Sequence, residues 1–181
     1  MKILITAFEP FNNDTVNPSE EILKNIDGCK VMLPVSYNRV EEVLDDAICK
    51  YNPDFILSLG YAGSRSEISI EKCAYNLMKA SIKDNDGTFY SGNKIKNSED
   101  ILNTIIDVEK LIKDVNGYNL YQSFDPGRFI CNEVYYLSLL KLNGRALFIH
   151  VPPLDTMKDT GKSLKFQIDA IKDIIRYLQE K

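Results

Sequence analysis

Short, nearly continuous apolar runs alternate along the chain with longer segments whose apolar positions recur at helical spacing. The runs Ile3-Leu4-Ile5, residues 31–35, Phe55-Ile56-Leu57-Ser58-Leu59 and residues 146–151 read as strands, near-continuously apolar as in a parallel sheet, with 55–59 of the buried type. Residues 36–51 place Val40, Val43, Leu44, Ala47 and Ile48 on one side of a predicted amphipathic helix, which Asn52-Pro53 stops. Asn17-Pro18-Ser19-Glu20 reads as a helix start, with a capping side chain, a first-turn proline and an acid near the positive end; Gly28 is its expected end. Further helices are expected over 107–116, 129–143 and 160–178, the first two stopped by Gly117 and Gly144. Residues 118–124 read as a strand, and 68–77 as extended with Ile68, Ile70 and Cys73 turned inward. Residues 82–100 are rich in Asp, Asn and Gly and predict a long surface excursion. Strands alternating with helices predict an α/β fold, a three-layer α/β/α sandwich around a mainly parallel twisted sheet. With no internal repeat or linker, the 181 residues are expected to form one domain, 1–181.

Composition narrows the function classes. A net charge of −4 without a basic tract argues against nucleic acid and anionic membrane as partners. No apolar stretch approaches the roughly 20 residues of a membrane span, and the apolar run at the N-terminus is too short for a signal peptide. The four cysteines, at 29, 49, 73 and 131, form no C-x-x-C pair, and with a single histidine they leave no zinc site. They are read as reduced thiols of a cytoplasmic protein.

Any histidine chemistry must use His150, which ends a buried strand just before Pro152-Pro153, where α/β sheets place their ligand sites. Taken alone it reads equally as a strand-end histidine satisfied by a backbone carbonyl. Cys131 follows the turn Asp125-Pro126-Gly127-Arg128 and falls in the first turn of a helix. There the free N–H groups and the helix dipole are expected to lower a thiol pKa and to offer an oxyanion hole. The competing reading is a buried structural thiol, which also serves Cys29, Cys49 and Cys73. Glu71 is an acid on a strand: inert and solvent-facing in the ordinary case, or the orienting partner of His150 in a Cys-His-acid set. Gly60-Tyr61-Ala62-Gly63-Ser64-Arg65 follows a strand like a phosphate loop but lacks the Gly-Lys-Ser/Thr that such loops carry.

Five segments, in order, resemble pyroglutamyl peptidase I, the pyrrolidone-carboxylate peptidase family of cysteine peptidases. They are Thr6-Ala7-Phe8-Glu9-Pro10-Phe11 with Val16-Asn17-Pro18-Ser19, Leu59 to Arg65, Glu71-Lys72-Cys73-Ala74-Tyr75-Asn76-Leu77, Gly127-Arg128-Phe129-Ile130-Cys131-Asn132, and Phe148-Ile149-His150-Val151-Pro152. The resemblance implies a Cys131-His150-Glu71 triad on an α/β/α fold, with apolar contacts to a pyrrolidone ring from Phe8, Phe11, Phe129 and Ile130. Asn17 and Tyr61 match positions that line the same pocket. Tyr61 stands where many bacterial members carry Gln, and Ser81 where many carry Arg. The implied activity is hydrolysis of an N-terminal pyroglutamyl group from a peptide through an acyl-enzyme, without metal or cofactor and with homotetramers a possible assembly. Two alternatives stand beside it. One is a triad-retaining member with an altered substrate or no peptidase activity; the other is a nucleoside phosphorylase-like enzyme using Arg65.

Overall fold

The computed structural model describes residues 1–180. In chain order the elements are β1 (Ile3–Phe8), α1 (Pro18–Lys24), β2 (Cys29–Leu33), α2 (Val40–Tyr51), β3 (Phe55–Tyr61), β4 (Ser69–Glu71), β5 (Cys73–Tyr75), β6 (Met78–Lys79), β7 (Ser91–Asn93), β8 (Ile101–Asn103), α3 (Val108–Asp114), β9 (Tyr121–Ser123), α4 (Ile130–Lys141), β10 (Ala146–Val151) and α5 (Leu164–Gln179). The central sheet runs β2-β1-β3-β10-β4-β9. Its pairs are parallel except β10 with β4, so the direction reverses once, beside β10. Two small antiparallel ladders, β5 with β8 and β6 with β7, lie outside this sheet.

Alternation along the strands separates two cores. Ile3, Ile5, Leu57, Leu59, Leu147 and Ile149 face α1, α3 and α5 through Ile22, Leu111, Ile171 and Ile174. Leu4, Phe8, Ile56, Ala146 and Phe148 face α2 and α4 through Val40, Leu44, Val134 and Tyr135. Both faces are covered, which is why these strands read as unbroken apolar runs. The result is the expected three-layer α/β/α sandwich with a mainly parallel sheet.

Boundaries moved where a side chain or a backbone carbonyl captured a free N–H group. The predicted helix at 36 begins at Val40, because the Tyr37 N–H donates to the Asp84 carboxylate at 2.8 Å and residues 36–39 stay a turn. Asn17 does cap α1, its carbonyl accepting from the Ser19 N–H. That helix stops at Lys24, where the Asn25 N–H turns back, so Gly28 with φ 120° bends the chain into β2 instead. The last helix starts at Leu164 rather than at 160, because Ser163 accepts from the Phe166 N–H and caps it there.

The excursion over 82–100 is held by two buried side chains. Asp84 also accepts from the N–H groups of Asp86 and Thr88. Asn76 accepts from the Ile95 and Lys96 N–H groups and donates to the Lys96 and Ser98 carbonyls.

Candidate active site

Strand register assembles the site before any side chain is considered. His150 on β10 lies beside Gly60 on β3, and Phe148 lies beside Ser58. On the other edge of β10, Glu71 lies opposite Phe148 in the antiparallel pair with β4. Residues directly opposite share a face, as do residues two apart along a strand. Glu71 is therefore the diagonal neighbour of His150, within reach of a long side chain. Its Oε1 lies 2.8 Å from His150 Nδ1, and both residues are buried.

Glu71 stays ionised in this setting. Burial alone would raise its pKa, but the His150 hydrogen bond, then Ser123 and the Arg65 charge, bring it below the usual carboxylate value. An ionised acceptor assigns the proton of the imidazole to Nδ1 and leaves Nε2 with its lone pair free. For His150, burial is the largest effect and carries the pKa below 6.5, only partly offset by Glu71. The imidazole is thus neutral near pH 7 and able to accept a proton.

Arg65 braces the same carboxylate oxygen, while Oε2 is buried without a partner. Its guanidinium donates to Glu71 Oε1 and Ser69 Oγ, and to the Asp125 carbonyl at 2.8 Å. It so ties β4 to the turn that leads into α4. The arginine weighed above as a phosphate ligand is committed within the protein.

Cys131 sits in the first turn of α4, behind Phe129, which takes the N-cap position without a side-chain cap. Its sulfur packs over Gly60, the strand neighbour of His150. A Cβ placed on Gly60 would come within 2.7 Å of the Phe148 ring and 3.0 Å of the Cys131 sulfur. Only glycine lets the sulfur, the Phe148 ring and β3 approach this closely. Gly60→Ala is expected to cost roughly 1–3 kcal/mol of stability, and a urea midpoint equal to the parent's would contradict the close approach.

Comparison with known proteins identifies the family. A family model described as pyroglutamyl peptidase matches residues 1–176. The chain is 32% identical to the pyrrolidone-carboxylate peptidase of Pyrococcus furiosus, with 99% of each chain covered. It is 36% identical to pyrrolidone-carboxylate peptidase 2 of Caldanaerobacter subterraneus subsp. tengcongensis, over 98% of this chain and 96% of that one. The crystal structure of the pyrrolidone carboxyl peptidase from Fervidobacterium islandicum AW-1 superimposes with a TM-score of 0.94 at 32% identity, covering 99% of both.

The chain belongs to the pyroglutamyl peptidase family. It is accordingly a hydrolase, a cysteine peptidase of the pyroglutamyl type.

Within that family frame, the helix-terminus expectation for the thiol is reversed. Burial first, and then the nearby Glu71 charge, push the Cys131 thiol up to about 12; Arg65 and the residue's own amide pull down by less. Losing water costs a thiolate more than a helix end returns. At rest the sulfur is held as a thiol and the imidazole is neutral.

The predicted ring-contact residues gather on the same side. Phe11 lies 6.2 Å from Phe129 and 6.4 Å from Tyr61, ring centre to ring centre. Phe8 is fully buried against Phe148, and Ile130 packs in the same cluster. Asn17 is spent largely on structure: Oδ1 accepts from the backbone and hydroxyl of Ser19, and Nδ2 donates to the Glu9 carbonyl at 3.1 Å. Ser81 lies in the bend that follows β6, and its neighbour Asp84 serves the turn described above.

Three contributions escaped the sequence reading. Arg65 looked like loop chemistry because its acceptors are 4 to 60 residues away. Asn132 holds α4 to the backbone of β5, accepting from the Tyr75 N–H and donating to the Tyr75 and Leu77 carbonyls. Gly60 was read only as ending a strand and opening a loop. That all three residues stand within the segments of family resemblance was the available cue. Among the described residues no cluster of His, Cys, Asp or Glu is arranged to hold a metal ion, and no helix is long and apolar enough to cross a membrane.

Proposed function

We propose that this chain releases an N-terminal pyroglutamyl residue from peptides by acyl transfer through Cys131, with His150 as the base and Glu71 as its orienting acid. The observation that carries the reading is the buried Glu71–His150 hydrogen bond of 2.8 Å, on the strand whose neighbour, Gly60, contacts the Cys131 sulfur. His150 Nε2 takes the thiol proton as the sulfur attacks the pyroglutamyl carbonyl carbon. Backbone N–H groups at the start of α4 face the developing oxyanion. The carbon–nitrogen bond then breaks, and Nε2 returns the proton to the leaving amine. Water, deprotonated by the same nitrogen, cleaves the thioester and frees pyroglutamate.

The aromatic and apolar lining explains the preference for the cyclised residue. A pyrrolidone ring is uncharged, whereas an N-terminal glutamate would bring an ammonium out of water without a partner. The phosphorylase-like alternative loses its only phosphate ligand to Glu71 and Asp125. Free thiols at all four cysteines suit the reducing cytoplasm.

A fluorogenic pyroglutamyl substrate, run beside the prolyl and glutamyl analogues, tests the reading. Release from the pyroglutamyl compound alone is expected, blocked by thiol alkylation and indifferent to a metal chelator. No release from any of the three would refute it. The acid limb of kcat/KM should lie below pH 6.5, because burial lowers the His150 pKa and protonation removes the base. Removing the positive charge of Arg65 lifts a depressing influence from His150, so Arg65→Ala should shift that limb upward. A limb above pH 7 in the parent enzyme would count against a neutral, buried base.

A further inference from the structure

Two buried polar atoms, one in the turn before α2 and one on α4, take no part in the mechanism above. Tyr37 Oη and Glu133 Oε2 are each enclosed without a hydrogen-bond partner. The residues are only 6% and 5% exposed. Such groups are rarely left unpaired in the interior, and an orphan of this kind calls for an explanation.

Their positions suggest one. Tyr37 belongs to the packed set that holds Phe8, Phe129, Ile130 and Cys131. Its ring meets Phe129 edge-on at 5.6 Å and Tyr90 at 5.0 Å. Glu133 lies on the first turn of α4, two residues beyond Cys131. The phenol is also electrostatically coupled to both: after burial, the charges of Glu133, Asp84 and Cys131 all act to raise its pKa.

The chemistry of the ring supplies the occupant. A pyrrolidone is a cis lactam, with its N–H and C=O on one edge. A neutral carboxyl complements that edge, since its C=O accepts the N–H and its O–H donates to the lactam oxygen. A phenol can donate to the second lone pair of the same oxygen. Glu133 is held in the required form: burial, then Glu41 from α2 and Asp84 from the 82–100 excursion, push its carboxyl up to about 8, against a smaller opposing pull from Lys96.

We propose that the Tyr37 hydroxyl, whose ring packs against Phe129, and the Glu133 carboxyl, two residues beyond Cys131 on α4, are the specificity groups that read the lactam edge of the pyroglutamyl ring. The inference rests on the pyroglutamyl reading. It adds these two residues to Tyr61 and Asn17, which the family resemblance places in the pocket lining.

The test compares 2-pyrrolidone with cyclopentanone, a ring of nearly the same shape without the N–H, as competitive inhibitors of pyroglutamyl hydrolysis. The parent enzyme is expected to bind 2-pyrrolidone at least about tenfold more tightly, the scale of one well-placed hydrogen bond. Tyr37→Phe and Glu133→Met should each reduce that ratio several-fold, while Glu133→Gln, whose amide has the same donor and acceptor pair, should keep it. In the parent the ratio should fall above pH 8, where the carboxyl loses its proton; in Glu133→Gln it should stay level. A role confined to packing would move none of these ratios. Unchanged ratios in both Tyr37→Phe and Glu133→Met, in a parent that does hydrolyse pyroglutamyl substrates and prefers the lactam, overturn this inference alone. A parent that releases no pyroglutamate overturns the reading beneath it.

Discussion

Cys131→Ala is expected to lose about 10⁴-fold or more in kcat on a pyroglutamyl substrate, the scale seen when a nucleophile is removed from a cooperating set. The fold should survive. Cys131 is half-buried, and alanine keeps the Cβ within the first turn of α4. The sulfur takes no hydrogen bond from a neighbour that would be orphaned; the buried Glu71–His150 pair and the Arg65 contacts are independent of it. Activity should therefore vanish while the urea midpoint moves little. A trapped acyl adduct on the parent enzyme, detected by mass and absent from the variant, would place the covalent step on this sulfur. Hydrolysis by the variant within tenfold of the parent would remove Cys131 from the mechanism. The raised thiol pKa adds a second expectation: alkylation at pH 7 should be slower than that of an exposed thiol, because little thiolate exists at rest.

Glu133→Gln should stabilise the protein markedly at alkaline pH and hardly at all in acid. In the folded chain the carboxyl is pushed up to about 8, whereas unfolded it titrates near 4.5. Between these values the folded state holds a proton that the unfolded state releases, so stability falls as pH rises, by about 1.4 kcal/mol per pH unit. The loss is absent below pH 4.5 and reaches the order of 4 kcal/mol by pH 8. Gln has the same shape and does not titrate, so it escapes the loss. Urea unfolding of parent and variant at pH 4, 6 and 8 checks this. The difference should grow steadily over that range, and one that is equal at all three values would show that Glu133 is charged in the folded chain. Retaining so costly a group two residues beyond Cys131 is what a functional role, such as lactam recognition, would explain.

The layering was legible because it depends on local pattern. β10 was expected over 146–151 and runs Ala146–Val151, since each of its six residues is buried whichever face it points to. The start of α1 was legible for the same reason: Asn17, Pro18 and Ser19 act on groups one or two residues away. What the pattern missed lay at long range. The helix at 36 was delayed by Asp84, 47 residues downstream. The role of Arg65 was not visible because its acceptors, Glu71 on β4 and the Asp125 carbonyl in a distant turn, meet it only in the fold. The thiol of Cys131 was expected to be acidic from its helix position, and enclosure under Phe148 and Gly60 made it the reverse.

By itself the sequence determined the principal strands and helices of the layered fold, and that one cysteine, one histidine and one acid stand in family motifs. These follow from periodicity and residue chemistry, which act between near neighbours. Only the tertiary structure decided that β4 runs antiparallel to β10, and so that Glu71 sits diagonal to His150 on the face where Cys131 lies over Gly60. It also decided the protonation of all three, because a pKa is set by lost water and nearby charge, and both depend on groups that the chain brings together only when folded.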